Sequence, residues 1–265
     1  MLNTLRRGLI SKENREVRAE TRDSPSLKKL NQLYRYETYL SSLLSVLSSK
    51  YKYYMTDFLP LFPLQLVVYP GEKLNLHIFE ARYKQLIREC EENKITFGIP
   101  SYIEDKIMPV GTELELLSIE NRKDNGEMDI KTRGIGLFKV KEFYAKAPNK
   151  LYPGADITRL SLDDNFDLSL NEAILVQILK LYELLDIKKK PPRSANTFRI
   201  YDIAHYIGLN IEQEYALLVV PTELERQEFA HAHLKKLLPT LASIEKSRER
   251  AKLNGHFKNV IPPRF

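Results

Sequence analysis

The stretch LPLFPLQLVVYPG, Leu59 to Gly71, is almost wholly apolar yet holds three prolines, at Pro60, Pro63 and Pro70. A membrane-spanning helix needs about 20 consecutive apolar residues, and this run is shorter. Proline fixes φ and lacks a backbone N–H, so Pro63 does not suit a helix interior or a central strand. The segment therefore reads as an extended strand at a sheet edge, kinked at Pro63 and ended by a Pro70-Gly71 turn. Leu61, Leu64, Leu66 and Val68 read as core. If the strand stays regular across Pro63, Phe62 and Tyr69 fall on the opposite parity and read as surface.

Downstream of the turn, Leu74, Leu76 and Ile78 alternate with polar residues, the period of a half-buried strand. Phe79, Tyr83, Leu86, Ile87 and Cys90 then recur at helical spacing, so an amphipathic helix is expected up to Lys94. ITFGIPSYIE reads as another strand. In the next block, Asp124-Asn125-Gly126 marks a hairpin, because Asn-Gly tolerates positive φ at both central positions. Its strands are expected to place Leu114 and Leu116 against Met128 and Ile130. Gly134 and Gly136 flank Ile135 and predict a bulge before the strand around Phe138 and Val140. YPGADITRL adds one more strand. Several short strands with regular turns indicate a small closed or half-open barrel.

From Ser169 the period turns helical. LNEAILVQILKLYELLDIKKK has a wide apolar face and is expected to end in a basic turn, and KKKPPRS follows as a linker. TFRIYDIAHYIGL carries an apolar stripe that stops near Gly208. Asn210 with Gln213, and Thr222 with Glu225, have the spacing of helix-start caps. The last helix should kink or break at Pro239. The body thus reads as α+β: a β part over 55–165, a helical part over 166–250, and a loose tail over 251–265.

The first fifth differs from the rest. Residues 1–54 hold 11 Lys/Arg against 5 Asp/Glu, so the net charge of +6 lies wholly there, and the remaining 30 of each sign balance. The tract is polar and aperiodic at first and only partly helical later, and reads as a flexible extension or as a mis-assigned start ahead of Met55. A neutral body argues against phosphate binding, which depends on clustered cations. The single cysteine, Cys90, sits among acids that raise a thiol pKa, so it reads as buried and inert. One cysteine allows no internal disulfide, and a cytoplasmic location fits.

No catalytic, cofactor-binding or metal-ligating set stands out. His231 and His233 are two apart on a helix and point away from each other. His205 reads as a packing or surface residue, and Glu80 with Arg82 as a structural pair at a helix start.

Taken together, Leu59-Pro60-Leu61, Pro63-Leu64, Val67 to Gly71 and Phe79-Glu80-Arg82-Tyr83 resemble the opening of the Lon protease N-terminal, substrate-binding domain. VGTELELL, Asn125-Gly126, GIGLFKV and ALLVVPTELERQEFAHAHLKKLL extend the resemblance over about residues 57–245. One departure is Leu137, where the family carries arginine before Phe138. The resemblance implies a PUA-like β pseudo-barrel followed by a C-terminal helical bundle. It further implies a non-catalytic module that recognises unfolded or degron-bearing polypeptides, with a protease or chaperone as further partner. The G-x-x-x-x-G-K-[ST] loop that holds nucleotide phosphates is absent from the sequence, and no cofactor is implied. On this reading Phe62, Pro63, Tyr69, Pro70 and Phe79 are the candidate peptide-binding residues. The alternative is an RNA-binding PUA-like protein, which would need residues 1–54 for its charge. No membrane role is expected, and nucleic acid is disfavoured as a partner.

Overall fold

The computed structural model describes residues 56–253. The expectations for 1–54 and for the tail from 254 on therefore lie outside the described residues. Six strands come first: β1 (Thr56–Pro60), β2 (Lys73–Ile78), β3 (Phe97–Ile103), β4 (Lys106–Arg122), β5 (Met128–Tyr144) and β6 (Gly154–Leu160). Helix α1 (Ala81–Asn93) stands between β2 and β3. The helices α2 (Leu168–Leu184), α3 (Ile200–Ile203), α4 (Ile211–Leu218) and α5 (Glu223–Leu253) follow, with a short 3-10 turn over Ala204–Tyr206. None of the described helices is long and apolar enough to cross a membrane.

The antiparallel sheet runs β1-β6-β5-β4-β3, and β2 pairs with β5 off this path. The opening apolar segment completes the barrel. Beyond Pro60 it runs parallel to β3, bridging Leu61 to Gly98 and Leu64 to Ser101. The Phe62 amide donates to the Gly98 carbonyl at 2.8 Å, and the Tyr102 amide to the Leu64 carbonyl at 2.8 Å. Pro63 is harmless there, since it falls between the residues that donate. The edge expected of this segment is thus used by the protein itself.

The hairpin turn lies at the expected place, with the Gly126 amide on the Lys123 carbonyl at 2.8 Å and Gly126 at φ +79. Its register differs from expectation. Met128 faces Arg122, Ile130 faces Ile119, and Leu114 faces Gly134. A tight turn fixes register by counting outward from itself, and here both strands extend right up to it. The predicted bulge is present, because Glu113 faces Gly136 while Leu114 faces Gly134, leaving Ile135 extra. At Gly134 a Cβ would lie 2.5 Å from the Tyr69 carbonyl oxygen. Only glycine lets β5 pass this close beneath the opening segment.

The main core fills the space between the sheet and α1, with Tyr83, Leu86, Ile87 and Cys90 of the helix against Phe97, Ile99, Leu114 and Ile130. A second cluster joins Leu59 and Leu61 to Phe138, Ala155 and Ile157. In the helical part, α2 packs along α5. Asp167 caps α2 by accepting from the amides of Ser169 and Leu170, and Asn210 with Gln213 forms the expected capping box on α4. Two details differ. Helix α2 ends at Leu184, short of Lys188, so its last turn is not basic; Lys189 instead lies over the Tyr206 ring at 3.2 Å. Helix α5 runs through Pro239 to Leu253 without a break.

Candidate functional site

The five candidate residues do not converge on one surface. Phe62 is only 6% exposed and stacks on Tyr83 at 3.8 Å, inside the main core. Tyr69 is fully buried. Pro63 and Pro70 are half-buried, and Pro70 forms the turn with Gly71 at φ +86. Phe79 alone is open, 60% exposed, immediately ahead of α1 and stacked beside the His77 ring at 6.1 Å.

The expectation that Phe62 and Tyr69 face solvent is therefore corrected. It assumed one regular strand with water on one side. In the structure the segment bends after Leu64 and is covered on both sides, so Val67, Val68 and Tyr69 are all buried in succession. Val68 belongs to the barrel core, whereas Tyr69 faces the helices. Leu64 and Leu66 are half-buried at the margin of the core rather than within it.

Tyr69 is the centre of the joint between barrel and helices. Its ring lies 4.9 Å from the Tyr201 ring and 4.9 Å from that of His205. Its hydroxyl donates to the Glu214 carbonyl at 3.1 Å, and its amide donates to the Glu72 carboxylate at 2.9 Å. From the other side, the Tyr215 hydroxyl accepts the Val110 amide of β4 at 3.1 Å. His205 bridges two carboxylates, with Nδ1 at 2.8 Å from Glu214 and Nε2 at 3.1 Å from Glu72. Partial burial opposes its charge, but the two carboxylates outweigh that and push its pKa up to about 10.

Nothing in the sequence announced this clamp, since Glu72 lies more than 130 positions from His205, and Glu214 stands on a different helix. It does carry a prediction. A histidine whose folded pKa exceeds its ordinary 6.5 stabilises the fold fully below pH 6.5 and loses that contribution as pH rises towards 10. Urea unfolding of the protein and of His205→Gln should show a stability gap that is widest just below pH 6.5 and narrows to a small remainder at pH 10. A gap independent of pH would mean that the ring is held by packing alone.

Two further expectations concern charged groups. Arg82 and Glu80 pair with each other at 2.8 Å, and Arg82 also lies over the Tyr83 ring. His231 meets Gln177 at 3.1 Å and His233 donates to the Ile207 carbonyl at 3.0 Å, so each histidine has its own structural partner. Burial pushes the Cys90 thiol up to about 12, which makes it inert at neutral pH. Among the described residues no group of three or more His, Cys, Asp or Glu is placed to hold a metal ion.

These features can be set beside known proteins. The family model of the ATP-dependent protease La (LON) substrate-binding domain matches residues 58–236. This chain belongs to that family. Among solved structures it is similar to the Lon N-terminal domain protein from Xanthomonas campestris, at 22% identity and a TM-score of 0.51, covering 65% of this chain and 95% of that one. It is also similar to the N-terminal domain of Mycobacterium avium complex Lon protease, at 13% identity and a TM-score of 0.50, covering 69% of this chain and 100% of that one. At such identities the likeness establishes the fold. A search of curated proteins found no match. Within the Lon family framework, the described part of the chain is a substrate-recognition module, and its surface is where recognition has to be sought.

Proposed function

We propose that this Lon-type domain is a non-catalytic module that captures unfolded or degron-bearing polypeptides and hands them to a protease or chaperone in the cytoplasm. The family match over residues 58–236 carries the reading. Two observations agree with it. The described surface retains large apolar side chains, notably Phe79, Val176 and Leu179, while the titratable groups singled out above are absorbed in structural contacts. Exposed apolar groups suit contact with the apolar segments that unfolded chains display.

The test is binding of the full chain to an array of overlapping peptides tiled from reduced, carboxymethylated lysozyme, a permanently unfolded polypeptide. The expected result is signal concentrated on apolar and aromatic-rich peptides. Absence of signal above background on every peptide would overturn the reading.

A further inference from the structure

Three strand edges have unpaired stretches among the described residues. That of β1, Thr56–Pro60, is short and leads directly into the segment that runs beside β3. The other two differ in kind. One is the hairpin half of β4, beyond Leu114, where the partnership with β3 stops. That stretch carries register shifts at Leu116/Ser118 and again at Ile119/Asn121. Repeated bulges twist an edge away and block further pairing. The other is the outer edge of β2. Its pairing with β5 is regular from Lys73 to Ile78, without a bulge, and β5 is its sole strand partner among the described residues.

The hydrogen-bonding pattern shows which groups this edge offers. The Gly134 amide donates to the Glu72 carbonyl at 2.9 Å, so Glu72 directs its carbonyl at β5. In an antiparallel ladder the direction alternates residue by residue. Leu74 and Leu76 therefore direct their N–H and C=O groups at β5, and Lys73, Asn75 and His77 direct theirs at the open side. Side chains alternate as well. Leu74 and Leu76 lie on the core face and are only half-buried, at the margin of the main cluster. His77 and the exposed Phe79 stack together on the opposite face.

We infer that the outer edge of β2 is the docking site for captured polypeptide, which adds to the sheet as an extended strand. This rests on the recognition role proposed above and names where and how the guest binds. An open, regular strand edge is complementary to another strand, because only an extended backbone meets its N–H and C=O groups in register. The chemistry of the guest follows from the two faces. Alternate guest residues lie beside Leu74 and Leu76, where apolar side chains extend the core, and those between them meet the His77 and Phe79 rings. The preferred guest is thus an extended segment with apolar residues at every second position, not merely one of high apolar content.

The experiment uses the full chain and the peptide array from lysozyme, together with shuffled versions of each bound peptide that keep composition and break alternation. Three results are expected. Alternating peptides bind more tightly than their shuffled forms. Hydrogen exchange at the Asn75 and His77 amides slows when the tightest array peptide is added. Asn75→Pro weakens binding about tenfold, since it removes an outward N–H while leaving the bonds to β5 in place. If peptides bind but exchange at these amides is unchanged, the edge assignment is overturned and the recognition role stands. Exchange is read on the unsubstituted chain, so this outcome does not depend on how Asn75→Pro folds. If no array peptide binds the unsubstituted chain, both are overturned.

Discussion

Replacing Arg226 by methionine should destabilise the protein by about 3–5 kcal/mol, the usual cost of removing one partner from a buried ion pair. Arg226 is 0% exposed, on the first turn of α5, and its guanidinium meets the equally buried Glu223 carboxylate at 2.7 Å. Its remaining donors reach the carbonyls of Val220, Pro221 and Asp163, each at 3.2 Å, and the group lies over the Tyr201 ring at 4.3 Å. Glu223 in turn accepts the Ile200 amide at 2.7 Å, which starts α3. One pair thus ties the strand-to-helix connection at Asp163, the start of α3 and the start of α5. Methionine fills similar volume but leaves a carboxylate in an apolar setting and three carbonyls without their donor.

Burial already pushes the Glu223 carboxyl above its usual range. Without Arg226 that tendency strengthens, so the acid can relieve the variant by taking up a proton. A carboxyl whose folded pKa is raised favours the fold at low pH and loses that contribution as pH rises. The deficit of Arg226→Met should therefore shrink as pH falls towards the ordinary carboxylate range. Adding Glu223→Gln, which keeps an acceptor for the Ile200 amide, should recover a large part of the loss at neutral pH. Urea midpoints of the two single variants and the double one measure this, and additive effects would refute the coupling.

Truncating Tyr69 to alanine should cost about 3–5 kcal/mol, the range for deleting a large buried aromatic side chain. The ring is enclosed between Tyr201 and His205, and its loss leaves a cavity at the seam of barrel and helices. Tyr69→Phe keeps the ring and removes only the hydroxyl bond to the Glu214 carbonyl, so about 1 kcal/mol is expected. The contrast bears on function as well as stability. A charged residue at Phe62 or Tyr69 would suppress peptide binding simply by unfolding the protein. Tyr69→Phe separates the two: peptide affinity measured well below its unfolding transition should match that of the unsubstituted chain. A large affinity loss in this folded variant would place Tyr69 in the binding surface after all.

The candidate site was only partly legible in the sequence, and the failures have a common cause. Parity along a strand tells which side chains share a face, but not whether both faces are covered. Phe62 and Tyr69 were assigned to water because the opening segment was read as having one packed side. The packing of α3 and α4 on its other side depends on residues more than 130 positions away, such as Tyr201 and Glu214. For the same reason His205 was read as a packing or surface residue, with no sign of its partners Glu72 and Glu214. Phe79 was counted into the apolar stripe of the following helix, but α1 begins only at Ala81, so the stripe does not claim it and its ring is left 60% exposed.

Local chemistry was read with more success, since the signals are short-range. Gly126 needs positive φ, Gly134 and Gly136 flank a bulge, and Asn210 with Gln213 closes a capping box, all within a few residues of chain. The order of strands and helices, the Asn125-Gly126 hairpin and the motifs running from Leu59 to Tyr83 were enough to point to the Lon domain. Tertiary structure decided the rest: that the apolar opening segment closes the barrel by running beside β3, that its last residues are buried between barrel and helices, and that β2 keeps a regular open edge. Those outcomes depend on which edges and faces meet across the whole chain, and a linear pattern of apolar residues is the same whether the surface it forms ends against water or against another part of the fold.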